Sequence, residues 1–212
     1  MDHSESILSD NKEDFVLLND ALLEAIYDIR YYSDYNFVGR RIKGYEKPLA
    51  YLTKEAFIRL KNVADELNEK GYLLKIYDAY RPVEAVLDFM DWASNDDEKM
   101  KEYFYPFLDK KDILPLGYLK RYSGHSRGST IDLTIVDKKS LKDLDMGGTF
   151  DYFGDISHPF YEGISDTQKD NRMLLRETMM KYGFVPSKVE WWHFTLDDEP
   201  YKNTYFTFPI DD

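Results

Sequence analysis

Apolar residues recur at spacings of three and four through residues 53–70, "TKEAFIRLKNVADELNEK". Ala56, Phe57, Leu60, Val63, Ala64 and Leu67 fall on one stripe, which predicts an amphipathic helix. Thr53 is placed to cap its start, and Gly71 stands at the C′ position, where a left-handed residue ends a helix. "YLLKIYDAY" (72–80) follows and predicts a buried strand. Arg81-Pro82 breaks it, and "VEAVLDFMDWA" (83–93) predicts a second helix with Pro82 near its first turn.

Residues 94–120 are charged and irregular. At 123–135, "SGHSRGSTIDLTI", the period changes to two. Gly124 and Gly128 flank a turn. From Thr130 to Val136, Ile131, Leu133 and Ile135 point one way, and Thr130, Asp132 and Thr134 the other. A helix would also align His125 with Asp132, but the glycine and the β-branched run favour a strand. Residues 145–169 read as a long loop, and loops of that length carry function or are disordered. The loop's aromatic residues argue against disorder. A helix is expected over 170–182, ended by Gly183, and then a strand pair or bent strand through "FVPSKVEWWHFTL". Residues 1–13 read as a mobile tail, and 14–212 as a single domain. This order of elements predicts the α+β class, with a mostly antiparallel central sheet flanked by helices.

The composition is that of a globular chain: 212 residues, 43% hydrophobic and 16% aromatic. A net charge of −12 argues against nucleic acid and against an anionic membrane surface, since both need clustered Lys and Arg. The acidic N-terminus lacks the basic and apolar regions of a signal peptide, and no run approaches the ~18–20 apolar residues of a membrane span. A soluble, cytoplasmic protein is expected. The chain has no cysteine, so any metal must be held by His, Asp, Glu or water.

That narrows the candidate chemistry. Of four histidines, His3 lies in the tail. His125 and Asp132 are both ordinary zinc donors, and a third must come from elsewhere. His193 sits in "EWWHF" (190–194), three residues after Glu190. That spacing suits a metal-binding histidine beside a glutamate that takes a proton from a water acidified by the metal. In an ideal strand the two would face opposite ways, so a twist or bulge is required between them. Each feature alone is equally a core histidine or a solvent-facing acid; together they supply His, Asp, His and Glu. Arg81, at the end of a buried strand, can donate to a carboxylate or an oxyanion, or can form a structural salt bridge to Asp78 or Glu84.

"YDAYRP", "SGHSRGSTIDLTI" and "EWWHF" together resemble the zinc D-alanyl-D-alanine dipeptidases (the VanX-type enzymes), part of a wider group of D,D-peptidases with an H-x6-D and E-x-x-H signature. The likeness extends through "YDIRYYSDYNFVG" (27–39), "MGGTFDYFGDISH" (146–158) and "DEPYKNTYFTFP" (198–209), in family order. The resemblance implies a hedgehog/D,D-peptidase-like zinc fold with one Zn2+ per chain, bound by His125, Asp132 and His193. It implies that Glu190 is the general base and later the acid, and that Arg81 stabilises the charge on the tetrahedral intermediate. Ser123, Asp151 and Tyr31 match substrate-pocket positions, with Asp151 the partner of a free ammonium. The implied substrate is the dipeptide D-Ala-D-Ala, in glycopeptide (vancomycin) resistance or in scavenging of cell-wall dipeptide. A zinc D,D-carboxypeptidase acting on peptidoglycan stem peptides is the alternative; Asp151 favours the dipeptide, whose ammonium lies close to the scissile bond. The chain departs from the family pattern at Gly124 and Thr130. Residues 94–120 and 153–161 are expected to shape the pocket wall, and His158 reads as structural.

Overall fold

The period-two run becomes the middle strand of a five-stranded sheet in the computed structural model, which describes residues 6–212. The first half of the chain forms β1 (Ile7–Ser9), β2 (Phe15–Leu17), α1 (Leu18–Ala21), β3 (Ile26–Tyr27), β4 (Tyr51–Thr53), α2 (Lys54–Glu69), β5 (Tyr72–Asp78) and α3 (Val83–Ala93). The second half forms α4 (Lys101–Phe104), α5 (Lys110–Ile113), β6 (Thr130–Asp137), α6 (Asp166–Lys181), β7 (Phe184–Pro186), β8 (His193–Leu196) and β9 (Thr204–Phe206). The main sheet has the order β3-β5-β6-β8-β7, and only β3 and β5 run parallel. The expected α+β class with a mostly antiparallel sheet is what forms.

One side of β6 makes the core. Ile131, Leu133 and Ile135 are fully buried together with Leu60, Val63 and Leu67 of α2 and Leu175 and Met179 of α6. Each such side chain contributes about 1.5–3 kcal/mol through burial. The opposite side, Thr130, Asp132 and Thr134, is buried as well. The alternation therefore separates core from site rather than core from solvent.

Several elements differ from expectation. Helix α6 begins at Asp166 rather than 170, because Ser165 and Gln168 form a reciprocal capping box. Thr53 precedes α2 but does not cap it; its hydroxyl pairs with that of Ser129 at 2.6 Å. The strand at 72 stops at Asp78. Two single-turn helices, α4 and α5, interrupt the irregular 94–120 segment. The expected tail needs correction: Ile7–Ser9 pair in parallel with Thr204–Phe206. Residues 1–5, His3 among them, lie outside the described residues. Among the described residues no helix is long and apolar enough to cross a membrane.

Candidate active site

Strand register assembles the site. β6 and β8 pair so that Asp132 stands directly opposite His193. Directly opposed residues share a face, with Cβ atoms about 4.5–5.5 Å apart. On the other flank, the β5–β6 register shifts between Ile76 and Asp78, which sets Asp78 opposite Asp132. Three neighbouring strands thus bring Asp78, Asp132 and His193 to one end of the sheet.

His125 arrives from a short 3-10 turn, Gly124–Arg127, just ahead of β6. The Ser123 hydroxyl caps that turn by accepting the His125 N–H at 3.2 Å. Gly128 closes it with φ of 84°, and a Cβ there would lie 2.3 Å from the Phe15 ring. The imidazole Nδ1–H donates to the Ala79 carbonyl at 2.7 Å. A carbonyl only accepts, so this bond sets the tautomer and leaves Nε2 with its lone pair aimed into the site.

The donors fit a tetrahedral metal. His125 Nε2 lies 3.3 Å from His193 Nδ1 and 3.2 Å from an Asp132 oxygen, and His193 Nδ1 lies 3.0 Å from the other Asp132 oxygen. Ligands at about 2.0–2.1 Å from a tetrahedral zinc are separated by edges of about 3.3 Å. The ligand atoms of the three residues all fall within 4.8 Å of one another. Burial alone would raise the Asp132 pKa, but the two histidines prevail and hold it well below the usual range. Asp132 is therefore ionised and ready to act as a donor.

Glu190 lies in the turn that leads into β8, not on the strand itself. The His193 N–H points back to the Glu190 carbonyl at 3.4 Å, and the Trp191 N–H donates to the Ser157 carbonyl at 2.9 Å. The turn removes the opposite-face conflict of an i,i+3 pair, and Glu190 Oε2 comes within 3.7 Å of His193 Nδ1. Burial, the largest effect, raises the Glu190 pKa. A carboxylate tuned upward is a better proton acceptor near neutral pH.

Arg81 forms the salt bridge and also lines the cavity. Its Nε and Nη2 each reach one Asp78 oxygen at 2.9 Å, which is the structural salt bridge. Its Nη2 is also 3.6 Å from Asp132, and the guanidinium lies 4.8 Å above the Tyr31 ring. The Tyr31 hydroxyl donates to Asp151 at 2.8 Å. Asp151 is 5% exposed, with φ of 60°, and burial followed by the Asp132 charge pushes its carboxyl well above the usual range. All eight predicted site residues line one cavity of about 140 Å3. That is far below the roughly 300–1,000 Å3 of drug-sized pockets. The carboxyl groups of Asp132, Asp151 and Glu190 line it together with Arg81 and the exposed Lys120.

A sequence profile described as D-ala-D-ala dipeptidase matches residues 11–211. The chain belongs to the D-ala-D-ala dipeptidase family. It is 36% identical to the D-alanyl-D-alanine dipeptidase of Enterococcus faecalis over 92% of this chain and 98% of that one. Against the Enterococcus faecium dipeptidase the identity is 37%, with the same coverage. Against that of Streptomyces coelicolor it is 33%, over 93% and 98%. Among solved structures, a vancomycin resistance D,D-pentapeptidase VanY in complex with Zn(II) superimposes at a TM-score of 0.43, with 16% identity over 70% of this chain and 74% of that one.

Sequence reasoning missed parts of this dipeptidase site. Asp78, 1% exposed, was visible only as a possible ion-pair partner of Arg81, yet it also accepts from Tyr45 at 2.6 Å and lies 3.5 Å from His125 Nδ1. Arg172 was not singled out. It is 3% exposed and donates to the carbonyls of Met146, Ile156 and His158. His158 enters through that carbonyl, in keeping with a structural role.

Proposed function

We propose that the protein hydrolyses D-alanyl-D-alanine to two D-alanines as a zinc metallopeptidase, within a single catalytic domain to which β1 also belongs. The observation that carries the metal is the His125–Asp132–His193 triangle with its tetrahedral edges. His125 Nε2, Asp132 and His193 Nδ1 would hold the ion. Zinc held there would supply Lewis-acid polarisation of the scissile carbonyl and would lower the pKa of a water to about 7. Glu190 takes the proton of the attacking water on its carboxylate. The water oxygen bonds to the carbonyl carbon, the C–N bond breaks, and Glu190 returns the proton to the leaving amine. Arg81, oriented by Asp78, donates to the oxygen that gains charge. Asp151, held by Tyr31, pairs with the substrate ammonium, and Ser123 both caps the His125 turn and lines the pocket. Loss of free D-Ala-D-Ala is what ties this activity to glycopeptide resistance or to dipeptide scavenging.

The test is D-alanine release from the dipeptide by purified protein, with and without chelator and with zinc restored. Activity should vanish with chelator and return with zinc. Glu190→Gln should fall by about 10²–10⁴-fold, the usual contribution of a positioned base. Full activity in metal-free protein would rule the proposal out.

A further inference from the structure

A second cavity adjoins the first. It is a groove of about 950 Å3 that shares Tyr118, Phe153 and Val189 with the catalytic cavity. The Tyr118 and Phe153 rings stack at 5.1 Å and 29° between the two spaces. They are held differently. Phe153 is 3% exposed, its N–H donates to the Phe104 carbonyl at 2.7 Å, and its ring packs against Phe37 and Tyr105. Tyr118 is half-buried and comes from the connection after α5, where its N–H reaches the Ile113 carbonyl at 3.1 Å.

With Asp151 holding the substrate ammonium, as proposed above, the groove lies toward the amino end of the substrate. Thr149, Tyr152 and Phe153, which line it, flank Asp151 in the chain, and Asp151 lines the catalytic cavity. A residue added to the amino group of the dipeptide would have to leave past Asp151, and the larger space on that side lies behind the stacked rings. The groove suits peptide: its lining is largely apolar, Tyr103, Phe107, Tyr152 and Tyr161 among it, with Asp155 and without lysine or arginine among the described residues. A neutral or cationic residue would meet no charge repulsion there.

We infer that the Tyr118–Phe153 stack is a partition that limits this site to dipeptides, and that the groove behind it is a latent subsite for the amino-side residue of a longer D,D-peptide. This rests on the dipeptidase reading. Phe153 is the fixed half of the partition and Tyr118 the removable half.

The experiment compares kcat/KM for D-Ala-D-Ala and for L-Lys-D-Ala-D-Ala in zinc-loaded wild type, Tyr118→Ala, Tyr118→Leu and Tyr118→Phe, each checked by thermal melting. Wild type should strongly prefer the dipeptide. In Tyr118→Ala or Tyr118→Leu, whichever melts near wild type, the tripeptide-to-dipeptide ratio should rise by about tenfold or more, the scale on which pocket shape discriminates. Tyr118→Phe keeps the ring and should keep the wild-type ratio. An unchanged ratio in the folded truncations, or a wild type that cuts both peptides equally, overturns the partition. A wild type that cuts neither overturns the dipeptidase reading instead, so the two failures are distinguishable.

Discussion

Asp78 holds Arg81 with one carboxylate oxygen, which accepts from Nε and pairs with Nη2, each at 2.9 Å. Both residues are buried, and Tyr45 takes the second oxygen at 2.6 Å. Removing the carboxylate leaves the buried guanidinium without its nearest counter-charge and with only Asp132, 3.6 Å from Nη2, beside it. Breaking a buried pair from one side costs about 3–5 kcal/mol. Asp78→Ala should therefore lower the urea midpoint by that equivalent at constant m-value. It should also lower kcat, because Arg81 loses its orientation. Asp78→Asn, which can still accept from Tyr45, should lose less on both counts. Wild-type stability in the alanine variant would show that the pair contributes nothing net.

Asp151 sets stability against function. Burial and the nearby Asp132 charge raise its folded-state pKa well above 3.8. Such a group costs stability as pH rises from the unfolded value, about 3.9, through the folded one, because only the unfolded chain ionises it freely. Asparagine removes that cost, still accepts from Tyr31, and tolerates the left-handed backbone at φ of 60°. Metal-free Asp151→Asn should therefore melt above wild type at pH 7, with the difference closing near pH 4. KM for D-Ala-D-Ala should rise by about 30-fold or more, the effect of losing one partner of a buried charge pair. Equal melting at pH 7, or an unchanged KM, contradicts this account.

That His125, Asp132, His193 and Glu190 meet in one cavity was legible because metal chemistry and a period-two strand are both local patterns. Placing Glu190 on a strand failed because a turn, not a bulge, precedes β8. The capping box at Ser165 and Gln168 is a local signal, but it sits at the end of a segment whose lack of apolar periodicity reads as loop. β1 left no signal: a three-residue strand carries too little period, and its partner lies at the far end of the chain. The role of Asp78 depends on a register shift in β5, and that of Arg172 on where a loop folds back. Neither is written in the neighbouring residues.

Gly128 tests how tightly the His125 turn is built. Its φ of 84° is strained for a side-chain-bearing residue, and an added Cβ would sit 2.3 Å from Phe15. Phe15 is itself wedged edge-on against Tyr80, Phe206 and Phe208, so its ring has little room to yield. Gly128→Ala should lose at least about 1–3 kcal/mol from backbone strain alone. Zinc affinity should fall as well, because His125 moves. Titration against a competing chelator measures that shift, and wild-type affinity in a folded variant would separate the turn from the metal site.

Glu66 ties α2 to α6 and contributes to the acid limb of stability. Hydrogen bonds from Lys181, then Lys70, then Tyr182 lower its pKa from 4.5 to about 2. A depressed folded pKa contributes stability that is full above the unfolded value and is lost as pH falls through the folded one. The loss should thus run from about pH 4.5 down to 2. Glu66→Gln should flatten the melting profile across that window while leaving dipeptide hydrolysis at neutral pH unchanged. An identical profile in wild type and variant would assign the acid limb to other carboxylates.

Arg172 links the two loops that carry Asp151 and Glu190. Its guanidinium donates to Met146 at 2.6 Å, His158 at 2.7 Å and Ile156 at 2.8 Å, and lies 5.8 Å from the Trp191 ring. Burial lowers its pKa to about 10, so it stays charged at neutral pH. These carbonyls bracket Asp151, and Trp191 follows Glu190 in the chain. Arg172→Met fills similar space but leaves the Met146 and Ile156 carbonyls without their Arg172 donors, while the His158 carbonyl keeps the Tyr161 N–H; each group left unsatisfied costs about 1–3 kcal/mol. Both loops should loosen, raising KM through Asp151 and lowering kcat through Glu190, each by about tenfold or more, since small misplacements at a reacting centre reach 10²-fold. Arg172→Lys keeps the charge but lacks the planar fork, and should fall between. Limited proteolysis should cut the methionine variant within 146–158 faster than wild type. Wild-type kcat and KM in that variant, measured below its melting temperature, would remove Arg172 from the positioning of either group.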